Sequence, residues 1–314
     1  MAMTQPLISA IICTHNRANY LGAAIDSLLK QTYPDYEIIL VDNASTDDTK
    51  AVVDARLPHP QLIYVYENTL GLSAARNRGA AIAQGEILAY LDDDAEASPH
   101  WLTALAEAFS QHPQAVIAGG SVSLIWPSGL GSPGWLSPTL SESLGAYNLG
   151  TTIQLITEPG QTPRGLNYAV KKSFLNSAGG FDLQLGRVGK NLLSNEELHL
   201  TQQALDAGYE VLFVPQAQVG HHVAPERLHP GWFLRRSWWQ GISECYREQL
   251  SHSLTRQRLW ARALCLLRGL AKSLRSWHDP ALRFENLVYA YGQLGYVFSG
   301  LRYLLPRPGV KFSP

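Results

Sequence analysis

Along the first 110 or so residues, short β-branched apolar runs alternate with stretches in which apolar residues recur at helical spacing. The runs at 7–13, 37–41, 62–66 and 87–91 predict strands, and the stretches at 19–31, 47–55, 73–83 and 100–110 predict helices. Strand and helix taking turns in this way is the pattern of an α/β fold with a doubly wound, mostly parallel central sheet. A polar segment follows every strand. Ligands of such sheets sit beyond the carboxyl ends of the strands, so 14–17, 42–45 and 92–94 are expected to converge on one edge.

The pattern then changes. Between 126 and 150 the chain is rich in Gly, Pro and Ser, which predicts a long irregular loop of the sort that covers a substrate. A strand at 166–170, a helix at 171–177 and a helix from Asn195 to Gly208 follow, then a short strand at 210–214 and an apolar stretch at 219–223 carrying His221 and His222. From Pro230 onward the character is helical and basic. The expected division is an α/β body over 1–229 and a helical C-terminal extension over 230–314.

Composition sharpens this picture in three ways. With 314 residues, 46% of them hydrophobic, the chain can bury a substantial core. The three cysteines, Cys13, Cys245 and Cys265, are far apart and outside any CxxC spacing, so neither a disulfide framework nor a zinc site is expected and a reducing cytoplasm fits. No basic segment precedes the short run at 7–13, which reads as a strand and not a signal peptide. The net charge of -1 hides an asymmetry: up to Leu234 there are 12 Lys and Arg against 22 Asp and Glu, and from Arg235 onward 13 against 4.

A basic tail on an acidic body suits an anionic partner, either nucleic acid or a membrane surface. No nucleic-acid-binding module accompanies it, so nucleic acid is not expected. In 256–275, apolar residues from Leu259 to Leu274 gather on one helical face and Arg258, Arg262, Arg268, Lys272 and Arg275 on the other. Such a helix either lies on an anionic membrane or packs as an ordinary helix with a solvated basic face. The stretch 287–305 is interrupted by Gln293 and Arg302 and falls short of the roughly 20 clean apolar residues a span needs. Attachment is expected to be peripheral at most, on the inner face of the cell membrane.

The chemistry is concentrated in a few polar clusters. Asp92-Asp93-Asp94 directly follows an apolar strand, where crowded carboxylates call for a cation, and hard oxygen ligands suit Mg2+ or Mn2+. On its own the triplet reads equally well as a solvated acidic turn. Glu196-Glu197 opens a helix, where acids are favoured by the helix dipole with or without a catalytic role. Of the two histidines, strand alternation allows at most one to face a cation, and His221 shares its face with Val219.

Taken together, "SAIICTHNRANYLGAAIDSLLKQTYPDYEIILVDNASTDDT", "ENTLGLSAARNRGAAIAQGEILAYLDDDAE" and "NEELHL" resemble the family 2 glycosyltransferases of the GT-A fold, from about Pro6 to about His222. The resemblance implies a bacterial exopolysaccharide-type, inverting, metal-dependent transferase. It would move a sugar from a nucleotide diphosphate, UDP foremost, to a hydroxyl of a glycan or lipid-linked acceptor. It places Thr14, His15, Asn16 and Arg17 beside the base and ribose, Asp42 on the base and Arg76 near the diphosphate. It also implies Asp92 on the ribose side, Asp93 among the other donor-nucleotide residues, Asp94 as metal ligand with His221 or His222, and Glu197 as the base, with its neighbour Glu196 the other candidate. Where the family commonly has Gly-Glu-Asp, this chain has Asn195-Glu196-Glu197.

Three other readings fit the sequence less well. A sugar-1-phosphate nucleotidyltransferase needs a Gly-rich loop after the first strand, and "CTHNRAN" has no glycine. Hydride transfer would need GxGxxG at that place. A non-catalytic carbohydrate-binding or scaffold subunit would not need the full set of carboxylates. Trp238 and Trp239 in "FLRRSWWQGIS" either stack on sugar rings or pack in a core.

Overall fold

A computed structural model describes residues 5–189 and 191–304. In chain order the elements begin β1 (Ile8–Thr14), α1 (Ala18–Leu28), β2 (Tyr36–Asp42), α2 (Thr49–Asp54), β3 (Leu62–Tyr66), α3 (Leu72–Ile82), β4 (Ile87–Asp92), β5 (Ala95–Ala97) and α4 (Trp101–Gln111). They continue with β6 (Ala115–Ile125), α5 (Pro138–Ser141), β7 (Gln154–Leu155), β8 (Asn167–Lys171), α6 (Lys172–Ser177), α7 (Glu196–Asp206), β9 (Glu210–His222), α8 (Pro230–Leu250), α9 (Arg256–Arg275) and α10 (Pro280–Leu304).

Two compact units result. The first comprises Met1–Ile125, Gly145–Leu183 and Glu196–His222, and the second Trp126–Leu144, Gln184–Asn195 and Val223–Pro314. Besides the C-terminal helices, the second unit takes in most of the irregular loop and the segment leading to α7.

The first unit is built on one sheet in the order β3-β2-β1-β4-β8-β6-β9-β5, with β7 added alongside β9. Strands β3, β2, β1 and β4 run parallel, as do β6 and β9, whereas β8 is antiparallel to both β4 and β6. Burial on both faces explains why β1 and β2 read as continuous apolar runs and not as alternating ones: nearly every residue in them is buried.

Strand β6 was not among the sequence expectations, and its glycines are the reason. Gly119-Gly120 reads as a break in a strand pattern, yet here the glycines mark a close backbone approach. A Cβ on Gly120 would lie 2.0 Å from the Ala217 carbonyl oxygen and 2.4 Å from that of Val214. The register of β6 on β9 shifts at this point, between Gly120 and Val122. The segments expected separately at 210–214 and 219–223 are one strand, β9, ending at His222.

A polar brace ties the sheet to α4. The Trp101 indole N–H donates to Asn167 Oδ1 at 2.8 Å, and Asn167 Nδ2 donates to the Ala217 carbonyl at 2.8 Å. Both side chains are fully buried, so these bonds satisfy groups that water cannot reach.

In the second unit α10 packs against both α8 and α9. Trp135 meets Phe233 and Phe284 edge-on at 5.4 and 5.3 Å. The ring of Trp238 meets those of Tyr291 and Phe298 at a tilt, with centroids 5.9 and 5.2 Å apart. Buried Glu248 accepts a hydrogen bond from the Tyr296 hydroxyl at 2.5 Å and pairs with Arg258 at 3.3 Å. Among the described residues no helix is long and apolar enough to cross a membrane; Leu305, the last residue of the apolar stretch, lies outside them.

Candidate functional site

The loops after β1, β2 and β4 do converge. Thr14 pairs in register with Asp42, and Cys13 with Asp92, so the three strands end level with one another. Asn16 stitches the first two loops together: its N–H donates to Ser45 Oγ at 3.0 Å, and its side-chain oxygen accepts from the Thr46 N–H at 2.7 Å. To reach both, Asn16 adopts φ 54°, a left-handed conformation that asparagine tolerates. His15 Nδ1 is 2.7 Å from the Asn43 carbonyl oxygen.

Asp42 is buried, accepting from the Ser45 N–H at 2.9 Å and from the Tyr64 hydroxyl at 2.8 Å. Its neighbour Asn43 went unassigned in the sequence. The Asn43 amide donates to the Thr69 carbonyl at 2.8 Å and accepts from the Gly71 N–H at 2.8 Å, which fixes the loop entering α3.

At the end of β4 the three aspartates diverge. Asp94 is buried and lies 2.9 Å from Arg17 Nη2 and 3.1 Å from His221 Nε2. Asp93 is also buried; desolvation and then the Asp94 charge push its carboxyl up to about 7, against the pull of Arg17 and Thr14. Asp92 is the most exposed of the three and faces Arg76 at 3.7 Å.

The two histidines part company, as alternation along a strand requires. His221 turns inward to Asp94, and His222 turns to Glu96 at 2.6 Å and stacks on Tyr20. The His222 side chain therefore turns away from the aspartate that His221 touches, although the His222 N–H donates to the Asp94 carbonyl at 2.8 Å.

Arg76, expected beside a diphosphate, is 3% exposed and its guanidinium is engaged within the protein. Its Nη1 donates to Glu196 Oε1 at 2.8 Å and its Nη2 to the Gly165 carbonyl at 3.2 Å. The guanidinium also lies over the rings of Phe181 and Tyr90 at 5.3 and 5.8 Å. Glycine at 165 makes room, because a Cβ there would come within 2.6 Å of Nη2. Burial opposes the charge on Arg76, yet Glu196 and Asp92 outweigh it and keep the guanidinium firmly protonated.

This one arginine joins the end of β4 to the start of α7, 120 residues away. It divides the labour of the acidic pair. Glu196 is buried and anchored through Oε1, whereas Glu197 is partly exposed; the Oε2 atoms of both are shielded and make no hydrogen bond among the described residues. Asn195 precedes them at φ 84°, the left-handed region that favours glycine, so asparagine stands here as the next residue able to make that turn.

Among the described residues no three His, Cys, Asp or Glu side chains gather to hold a metal ion by themselves. Asp94 and His221 nevertheless form a buried pair of suitable donors, whose remaining partners would have to come from ligand oxygens and water. Arg17 supplies positive charge to Asp94 in this structure.

Comparison with known proteins agrees with this architecture. Residues 9–163 match the model of Glycosyl transferase family 2. The glucosyl-dolichyl phosphate glucuronosyltransferase of Haloferax volcanii is 27% identical over 241 residues, which is 76% of each chain. Among solved structures, the mannosyltransferase PcManGT of Pyrobaculum calidifontis, in complex with GDP-Man and Mn2+, superposes with TM-score 0.56 at 20% identity, covering 98% of this chain and 78% of its own. TarS 1–349 of S. aureus, in complex with UDP, does so with TM-score 0.52 at 18% identity, covering 95% and 91%. With its strand order and converging loops the chain has the GT-A fold, and residues 9–163 form a family 2 glycosyltransferase domain, that of a sugar-transferring enzyme.

Proposed function

We propose that this enzyme transfers a sugar, with inversion, from a nucleotide diphosphate of the UDP type to a hydroxyl of a lipid-linked or glycan acceptor, and that Glu197 is the base. The observation that carries the reading is the asymmetry of the acidic pair: Arg76 holds Glu196 through Oε1 at 2.8 Å, while no ion pair ties down Glu197 among the described residues, each acid keeping a sheltered Oε2 that makes no hydrogen bond there. A general base needs a free oxygen facing the proton it accepts. Glu197 takes the acceptor proton as the hydroxyl oxygen attacks the anomeric carbon, and the nucleotide diphosphate departs from the opposite side. That geometry inverts the centre in one displacement.

On the donor side, Thr14, His15, Asn16, Arg17 and Asp42 line the base and ribose, with Asp92 and Asp93 beside them. Asp94 and His221 are the residues that would hold Mn2+ or Mg2+. When bound, the cation neutralises charge on the departing diphosphate. Arg76 serves as a brace for Glu196 in this reading and not as a phosphate ligand. The UDP bound to TarS, the Mn2+ in PcManGT and the dolichyl phosphate in the name of the Haloferax relative favour these choices of donor, metal and acceptor class. A role in cell-surface polysaccharide synthesis, from the cytoplasmic side of the membrane, accords with a nucleotide-linked donor.

The test is a screen of nucleotide sugars with Mn2+, followed by Glu197→Gln on the active donor. Transfer should fall by about a hundredfold or more while donor affinity stays within about threefold, and NMR of the product should show the opposite anomer. Loss of donor binding would reassign Glu197 to the donor pocket, and a retained anomer would exclude single displacement.

A further inference from the structure

Helix α9 packs the wrong way round for a helix that only stabilises a fold. Its inward face is small: Gly269 and Ser273 are its buried residues. A Cβ on Gly269 would sit 3.1 Å from both Ala290 Cβ and Tyr289 Cδ1, and the Ser273 hydroxyl donates to the Arg283 carbonyl at 3.1 Å. Leu259 and Leu266 are partly buried, but four other large apolar residues point the other way. Trp260, Leu264, Leu267 and Leu274 are 72%, 47%, 61% and 75% exposed, and their spacing sets them in one line along the helix. The stripe expected from the sequence as a single apolar face is thus divided, and its bulkiest members are uncovered.

Charge says what covers them. Helix α9 contains six cations, Arg256, Arg258, Arg262, Arg268, Lys272 and Arg275, and no acidic residue. Arg258 and Arg262 are engaged with Glu244 and Glu248 of α8. Arg268, Lys272 and Arg275 are exposed beside the apolar line and make no ion pair among the described residues. A second copy laid stripe to stripe would bring these three cations against their counterparts, which like-charge repulsion opposes. An anionic bilayer accepts both features at once, taking the leucines and tryptophan below the headgroups and the cations at the phosphates.

We propose that the outward face of α9 docks on a bilayer surface of anionic phospholipid, with the helix lying in the plane of the headgroups. No span is involved, in keeping with the lengths and polarity of the described helices. The inference goes beyond the catalytic reading and does not depend on it.

The experiment is flotation of the full chain with vesicles of mixed phosphatidylglycerol and phosphatidylcholine, against vesicles of phosphatidylcholine alone. The protein should float with the mixed vesicles at low salt and be released by high salt or by omission of the anionic lipid. Replacing Arg268, Lys272 and Arg275 by Gln should weaken binding by about a hundredfold. Leu267→Asp with Leu274→Asp should weaken it by more than about tenfold. Both variants alter exposed side chains, so circular dichroism and binding of nucleotide to the first unit should be unchanged. Failure to float with anionic vesicles, or flotation indifferent to both variants, would overturn the proposal. So would a dimer in sedimentation equilibrium that the Leu267→Asp, Leu274→Asp variant dissolves, which would assign the stripe to a second copy of the chain.

Discussion

Replacing Arg76 by Met tests whether the bridge between β4 and α7 is structural at its root. In the wild-type protein the side chains of Arg76 and Glu196 are each 4% exposed and lie 2.8 Å apart. Met preserves much of the arginine stem and its contact with the rings of Phe181 and Tyr90, but leaves the Glu196 carboxylate buried without its cation. Breaking one side of such a pair costs about 3–5 kcal/mol, a large share of the ~5–15 kcal/mol that holds a domain folded. Glu196→Gln should cost less, about 1–3 kcal/mol, because Asp92 at 3.7 Å and the Gly165 carbonyl at 3.2 Å still serve the guanidinium.

The double variant Arg76→Met, Glu196→Leu removes both charges and should recover most of the loss, since apolar replacement of a whole buried pair is close to neutral. Urea unfolding followed by circular dichroism, for the wild type, Arg76→Met, Glu196→Leu and their double variant, gives the coupling directly. A coupling of about 2 kcal/mol or more is expected. Costs that add within about 0.5 kcal/mol would show that the two residues act independently and would refute the bridge.

Three further outcomes follow from the same geometry. His221→Ala should weaken Mn2+ binding in the presence of nucleoside diphosphate by at least about tenfold by calorimetry, whereas His222→Ala, which loses its contacts with Glu96 and the Tyr20 ring, should leave it nearly unchanged. Burial pushes the Cys13 thiol up to about 12, so it should resist alkylation at pH 9 in the folded protein. Because its folded value is raised, the stability this thiol contributes is intact below the ordinary thiol range and is lost as pH climbs from there toward 12; a Tm that rises between pH 9 and 11 would contradict it. Asn167→Leu strands the Trp101 N–H and the Ala217 carbonyl in the core and should cost about 2–4 kcal/mol in urea unfolding; a loss below 1 kcal/mol would mean those groups find other partners.

What the sequence carried by itself is everything that depends on neighbours along the chain. Apolar runs at strand length and apolar positions at helical spacing put β1 to β4 and α1 to α4 in place. Because a parallel sheet ends its strands on one side, the convergence of Thr14, Asp42 and the aspartate triplet followed at once. The sequence even held the turn before α7, since asparagine in a position at φ 84° answers the same backbone demand as glycine.

Tertiary structure decided which polar groups are spent on one another and which remain for a ligand. Nothing within several residues of Arg76 says that its charge is taken by a glutamate 120 positions later, and so the sequence sent it to the diphosphate. Alternation allowed one of His221 and His222 to face the edge but could not name it, because that depends on the pairing of β9 with β5. Strand β6 was hidden by its glycines, whose purpose lies in the backbone of β9. The physical reason is the same each time: backbone conformation is set by local sterics and periodicity, whereas the partner of a buried charge, histidine or glycine is set by packing between segments that only the folded chain brings together.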